Sequence, residues 1–343
     1  MYLNNAATTV TKPEAYYSAP VATMEKTQEA LMNFFQCKNQ EKIFLTKGGS
    51  EALRAALYGF VARGDHVITT DMEYGTVLDT LQELETKGCH ISYIPTNQYG
   101  TLRYELIEEA ITPQTKVIVC CHGSNVTGNI TDIEKVGAIA RRHKLLLIVD
   151  GCQTAGATPI SFNDLGADVF CFTGHKKLMG PYGTGGIILR QDLELPEEIE
   201  KSLSKPSPED MGKLCASIKF IEEKGIYGIT IFPHRLAKRF FEAVKSMKDV
   251  TVYGDFGTSI RIPTVSISVK GHTAEEVKVF MRKRHIAVKS GDFNAPRMIK
   301  ALGKEEEGLV RFSFGYFNTR QEVNEAIWAL MMLLDLDDLY LLS

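Results

Sequence analysis

Short apolar blocks rich in valine, isoleucine and leucine alternate along the first half of the chain with stretches whose apolar positions repeat at helical spacing. The blocks Ile43–Thr46, His66–Thr69, Ile91–Ile94, Lys116–Cys121, Leu145–Val149 and Val169–Phe172 predict strands. Between them the periodicity predicts helices over Thr23–Phe35, Ala52–Val61, Val77–Leu84 and Tyr104–Ile111, with another from about Asp132. Thr131-Asp132-Ile133-Glu134 has the form of a capping box for that last helix, and Thr11-Lys12-Pro13-Glu14 has the same form for a short helix near the start. Strands separated in this way by helices imply βαβ units: a mostly parallel sheet covered by helices on both faces, an α/β fold.

After Gln191 the composition turns charged and proline-bearing, which marks the passage to another region. Helices are predicted over Lys213–Lys224, His234–Met247 and Ala274–Lys283, and strands at Val250–Tyr253, Thr264–Val269 and Leu309–Phe314. A final helix opens at the capping box Thr319-Arg320-Gln321-Glu322. This mixed order predicts a large domain over residues 16–225 and a smaller α+β domain made of residues 1–15 and 226–343.

Composition narrows the partner. The chain has 343 residues, a formal net charge of -3 and a pI near 6.3, so no basic excess recommends nucleic acid or an anionic membrane surface. Its start lacks a signal peptide, and its longest apolar run, Ala326–Leu334, is far too short to span a bilayer, so a cytoplasmic protein is expected. The 7 cysteines fall in apolar segments without the spacing of a zinc site or a disulfide framework, and no metal is expected. A small molecule is the expected ligand.

In a parallel sheet, ligands gather at the carboxyl ends of the strands. Polar residues follow five predicted strands: Gly49 and Ser50, Tyr74, Asn125, Asp150 with Gln153, and Thr173, His175 and Lys176. The last group opens FTGHKKLMGPYGTGG (172–186), a glycine-punctuated loop with adjacent lysines that, taken alone, reads first as a solvated turn. Pyridoxal phosphate needs a lysine for its aldehyde, a carboxylate for its pyridine nitrogen, and hydroxyl and N–H donors for its phosphate. Lys176, Asp150, and Ser50 with the Gly49 amide, Thr173 and His175 supply these in turn.

NNAATT (4–9), GGSEA (48–52), DMEYGTVLDTL (71–81), SNVTG (124–128), DGCQTAG (150–156), TGHKKLMGPYGTGG (173–186) and VRFSFGYFNTRQEV (310–323) together resemble the class V aminotransferase family, in its cysteine desulfurase and selenocysteine lyase branch. The resemblance covers most of the chain and implies the fold type I, aspartate aminotransferase-like architecture, a pyridoxal phosphate cofactor, a small amino-acid substrate and a homodimer. It implies that Lys176 forms the Schiff base and carries the Cα proton, Asp150 holds the pyridine nitrogen, Gln153 the ring oxygen, and Tyr74 stacks on the ring. Asn125 would lie near the ring oxygen and the substrate carboxylate, Ala6 would meet the substrate, and Arg311 would hold its carboxylate as a fork.

Two departures bear on the reaction. Tyr74 stands where the family usually has a histidine, and the segment Lys289–Pro296 has Asn294 where the desulfurases carry a sulfur-accepting cysteine. An amide cannot act as a thiolate nucleophile, so a persulfide-forming desulfurase is disfavoured. Transamination, elimination and selenocysteine-type cleavage remain open, as does a protein that keeps the fold, and the cofactor or not, for a binding or regulatory role. Ser207-Pro208 reads as a remnant of a segment that reaches the partner subunit's cofactor phosphate.

Overall fold

The computed structural model describes residues 1–38, 41–258 and 260–341, with side chains described through residue 335. Seven strands build the larger sheet: β1 (Lys42–Thr46), β2 (His66–Thr70), β3 (His90–Ile94), β4 (Thr115–Cys121), β5 (Leu146–Asp150), β6 (Val169–Thr173) and β7 (Gly185–Leu189). Their order is β1-β7-β6-β5-β4-β2-β3; β7 runs antiparallel to both of its neighbours, and the other pairings are parallel. Strands β2, β6 and β7 are buried at every position, as apolar blocks covered on both faces require. Phe35 seals one face, with its ring 5.5 Å from Phe170 and 5.1 Å from Phe172.

Strand β7 is absent from the sequence reading because its first residues belong to the glycine-rich stretch, which reads as loop. The glycines are there to admit the strand between β6 and β1. A Cβ on Gly185 would lie 2.6 Å from the Phe172 carbonyl oxygen, and one on Gly186 would lie 2.7 Å from the Phe172 ring and 2.8 Å from the Phe44 carbonyl oxygen.

The smaller sheet is antiparallel throughout: β8 (Val250–Tyr253), β9 (Thr264–Val269), β10 (Lys289–Gly291) and β11 (Leu309–Ser313), in the order β10-β11-β9-β8. The chain's first residues join it through bridges from Tyr2 to Ala287 and from Asn4 to Ser313. Helices Ile226–Val244 and Arg320–Leu341 pack on one another beside this sheet. Phe240 of the first lies 4.4 Å from Phe312 and 5.6 Å from Phe314, ring centre to ring centre.

Two of the three predicted capping boxes do not form. Pro13 itself precedes the helix Glu14–Tyr17, with no side-chain cap, because Thr11 lies too far upstream. At Thr131 the hydroxyl is diverted to the Cys121 carbonyl at 2.7 Å, and Asp132 caps the helix Ile133–His143 by accepting from the Lys135 N–H. At Thr319 the box closes as expected, with reciprocal bonds to Glu322 of 3.2 and 2.8 Å. Ser207 is the cap of Pro208–Lys224, which therefore begins ahead of the predicted Lys213. The next helix runs from Ile226 through Pro233, past the start expected at His234, since packing on the small sheet outweighs the missing proline N–H.

None of the helices among the described residues is long and apolar enough to cross a membrane. Because Phe240 is fully buried between a helix and the small sheet, Phe240→Ala is expected to cost about 3–5 kcal/mol of unfolding free energy, read as a lower urea midpoint.

Candidate active site

Each polar group expected at a strand end is found there, on one wall of a single cavity of about 540 Å3. The turn after β1 brings Gly49 and Ser50, the end of β2 brings Tyr74, the loop after β4 brings Asn125, and β5 ends in Asp150 with Gln153 just beyond. Thr173, His175 and Lys176 follow β6, Ala6 comes from the N-terminal segment, and Arg311 from β11 supplies the opposite wall. The cavity therefore lies between the carboxyl edge of the large sheet and the small sheet.

Local geometry fixes these groups tightly. Gly49 has no room for a side chain: a Cβ there would lie 2.3 Å from the Cys152 sulfur and 3.3 Å from Thr173 Cβ. It begins the helix Gly49–Phe60, and Ser50 Oγ lies 3.0 Å from Thr76 Oγ1 at the start of the helix Gly75–Thr86. The open first turn of the helix Gly49–Phe60, with these hydroxyls, makes a place for an anion, whereas the Gly75 N–H of the second helix is taken by the Asn294 carbonyl. Thr173 Oγ1 is partly engaged by the Thr184 carbonyl at 3.4 Å.

Asp150 is 5% exposed, and its Oδ1 accepts the Cys152 N–H at 2.8 Å. Gln153 donates from Nε2 to the Ala6 carbonyl at 3.0 Å, which leaves its buried Oε1 with no donor. The Lys176 ammonium sits 5.7 Å from the centre of the Tyr74 ring. Arg311 donates from Nη1 to the Asn125 carbonyl at 2.9 Å and from Nη2 to Asn4 Oδ1 at 3.0 Å, while its buried Nε has no acceptor. Burial lowers its pKa to about 10, so the guanidinium remains charged at neutral pH.

His175 bonds through Nδ1 to the Thr8 hydroxyl at 3.2 Å and stacks on Tyr182, and burial lowers its pKa to about 4. It is a neutral wall of the cavity, with Nδ1 already engaged. His122 does not reach the cavity; it pairs with the Thr154 hydroxyl at 2.9 Å. Ser207 and Pro208 also lie away from it, spent on starting a helix.

Sequence reasoning missed Asn4, Thr76 and Glu73. Asn4 sits inside the quoted NNAATT and Thr76 inside DMEYGTVLDTL, but only the fold pairs them with Arg311 and Ser50. Glu73 is fully buried beneath the site, where its Oε1 accepts from the Thr70 hydroxyl at 2.6 Å and the Cys121 N–H at 3.0 Å, and its Oε2 has no partner. Desolvation raises its pKa to about 8.

The segment expected to carry a sulfur acceptor lines the mouth with Lys289, Ser290, Asp292, Phe293 and Asn294. Asn294 has φ 61°, and its carbonyl accepts the Gly75 N–H at 2.6 Å. The cysteines of the cavity are Cys121 and Cys152, both with thiol pKa pushed well above the ordinary value by burial.

A carboxylate, an unpaired acceptor, a lysine and an anion cradle at a helix start fit a phosphorylated pyridine aldehyde, and the unpaired guanidinium Nε fits a carboxylate beside it. The fold is the type I architecture of pyridoxal-phosphate enzymes. The class V aminotransferase family profile matches residues 1–203 and 206–325, and the chain belongs to that family of pyridoxal-phosphate-dependent enzymes. It is 28% identical over 328 residues to a probable cysteine desulfurase of Halalkalibacterium halodurans, covering 88% of this chain and 79% of that protein. It is also 28% identical over 331 residues to the cysteine desulfurase IscS of Vibrio vulnificus, covering 89% and 79% respectively. The solved cysteine desulfurase of Thermococcus onnurineus NA1 superposes with a TM-score of 0.87 at 27% identity, over 97% of this chain and 94% of that one.

Glu73 makes stability depend on pH. An acid kept neutral in the fold up to about pH 8, but ionised when unfolded above its ordinary 4.5, makes the folded state bind more protons in that window, so stability falls as pH rises through it. Urea unfolding should show the wild type losing stability between those pH values relative to Glu73→Gln, with the gap closing at the acid end.

Proposed function

We propose that the protein is a pyridoxal-phosphate-dependent lyase that works at Cα of a small amino acid, of which a sulfur or selenium amino acid is the first candidate, and releases the heteroatom without storing it on a protein thiol. The observation that carries this reading is the meeting of Asp150, Gln153, Lys176 and Arg311 in one cavity whose mouth presents Asn294 and no loop cysteine. The names of the relatives favour sulfur chemistry, since they are cysteine desulfurases.

Asp150 would hold the pyridine nitrogen, Gln153 Oε1 the ring hydroxyl, and Ser50, the Gly49 amide and Thr173 the phosphate, with His175 and Tyr74 closing the sides. When bound, the cofactor supplies an electron sink for the bond broken at Cα. Arg311 holds the substrate carboxylate through its unpaired edge, and Asn125 and Ala6 shape the space beside it. Lys176 accepts the Cα proton and returns one, and Tyr74 forms a wall for the ring.

The absence of a cysteine in the Lys289–Pro296 segment supports one of the two fates of sulfur over the other. Cysteine desulfuration needs a thiolate that attacks the substrate's sulfur, and Cys121 and Cys152 are held as thiols by burial. Loss of the Cα proton then expels sulfur as sulfide, and with one water L-cysteine gives pyruvate, ammonia and hydrogen sulfide. The same chain is expected to act in the cytoplasm as a homodimer, which sedimentation of the holoenzyme at micromolar concentration tests directly.

Borohydride should fix the cofactor on Lys176 and bleach the visible band. Lys176→Ala should lose that linkage and roughly 10²–10⁴-fold in kcat; an unchanged band after the substitution contradicts the assignment. Arg311→Met should raise KM by roughly 100-fold while the cofactor stays bound. Incubation with L-cysteine should yield pyruvate and sulfide; alanine with protein-bound sulfur would point to desulfuration instead. Amino transfer to a keto acid would mark an aminotransferase, and spectral silence across an amino-acid panel would mark a binding protein.

A further inference from the structure

Lys177 adjoins the cavity lysine in sequence but takes no part in lining the cavity. Its side chain turns to the other side of the loop, is 6% exposed, and donates from Nζ to the Phe314 carbonyl at 3.0 Å. Its backbone is pinned as well: Gly156, at φ 82°, comes so close that a Cβ would lie 2.6 Å from the Lys177 carbonyl group.

A buried ammonium with a single neutral acceptor is costly, and an apolar side chain would fill the same space more cheaply. The charged groups that act on it are Arg311 from β11 and Lys176 from its own loop, both of like sign, and His234 and Tyr316 line the small void beside it. Its pKa is lowered to about 7, by burial first and then by those two cations. The acceptor is informative: Phe314 directly follows β11, the strand that presents Arg311.

We propose that Lys177 is a positioning residue that ties the Lys176 loop to the β11 strand end through Phe314, fixing the proton-carrying lysine and the carboxylate-holding arginine relative to one another while its charge strengthens the grip on the carboxylate. The inference rests on the reading of Arg311 as the carboxylate site.

The test is propionate binding to the holoenzyme, measured by calorimetry at pH 6 and pH 8. The Lys177 charge is lost as pH rises through its pKa, so wild-type affinity should fall by about tenfold across that interval, the scale of a nearby charge at protein-interior dielectric. Lys177→Arg, which keeps donor and charge at both pH values, should flatten the profile, and Lys177→Met should bind about tenfold more weakly at pH 6 while retaining the visible cofactor band. A Lys177→Arg profile parallel to that of the wild type overturns the proposal, and so does Lys177→Met binding within about twofold of wild type at pH 6. Should Lys177→Met fail to fold, the Lys177→Arg comparison decides alone. Propionate binding that is indifferent to Arg311→Met overturns the carboxylate reading itself, a separate outcome.

Discussion

The two bonds of Arg311, to the Asn125 carbonyl and to Asn4 Oδ1, hold together three parts of the chain that are remote in sequence. One bond reaches a loop of the large sheet, the other the N-terminal segment, and the arginine itself belongs to the small sheet. A guanidinium buried this deeply must have acceptors, and each acceptor it takes fixes a wall of the cavity. Asn125 passes the constraint on, since its amide donates to the Phe293 carbonyl at 2.8 Å and so seats the segment that ends in Asn294. The cavity has its shape because a charge was placed where water could not satisfy it.

The large sheet was legible because its strands are apolar on both faces, so that the blocks stand out from helical stretches without any tertiary information. The site was legible for a related reason: in a parallel sheet, residues just past a strand share one edge, so Tyr74, Asn125, Asp150 and Lys176 could be grouped before any distance was known. What was not legible depends on contacts distant in sequence. Strand β7 hides behind glycines whose purpose is visible only against Phe172 and Phe44. Thr131 has the sequence of a cap and yields that role to Asp132 because the Cys121 carbonyl lies within its reach. Nothing near Lys177 in the chain announces its acceptor, because the Phe314 carbonyl lies 137 residues away.

The site also shows how one environment sorts like groups into different roles. Both lysines of the pair are drawn toward the interior, yet one faces a cavity and the other a carbonyl. Two carboxyl groups act on one another here, but Asp150 borders the cavity whereas Glu73 is sealed under it, where desolvation favours its protonated form. The cysteines fall on the same side of this division. Cys152 touches the helix start at Gly49 so closely that it serves as a spacer, and desolvation keeps its proton in place.

The main-chain bond from the Gly75 N–H to the Asn294 carbonyl has a consequence for traffic through the mouth. It fastens this segment by its backbone to the start of a helix, at a residue in the left-handed region, and so couples the rim of the cavity to the large sheet's side of the site. Tyr182 and Lys289 border the same mouth, so a change at this bond would reshape the entrance and the helix start beside Ser50 together.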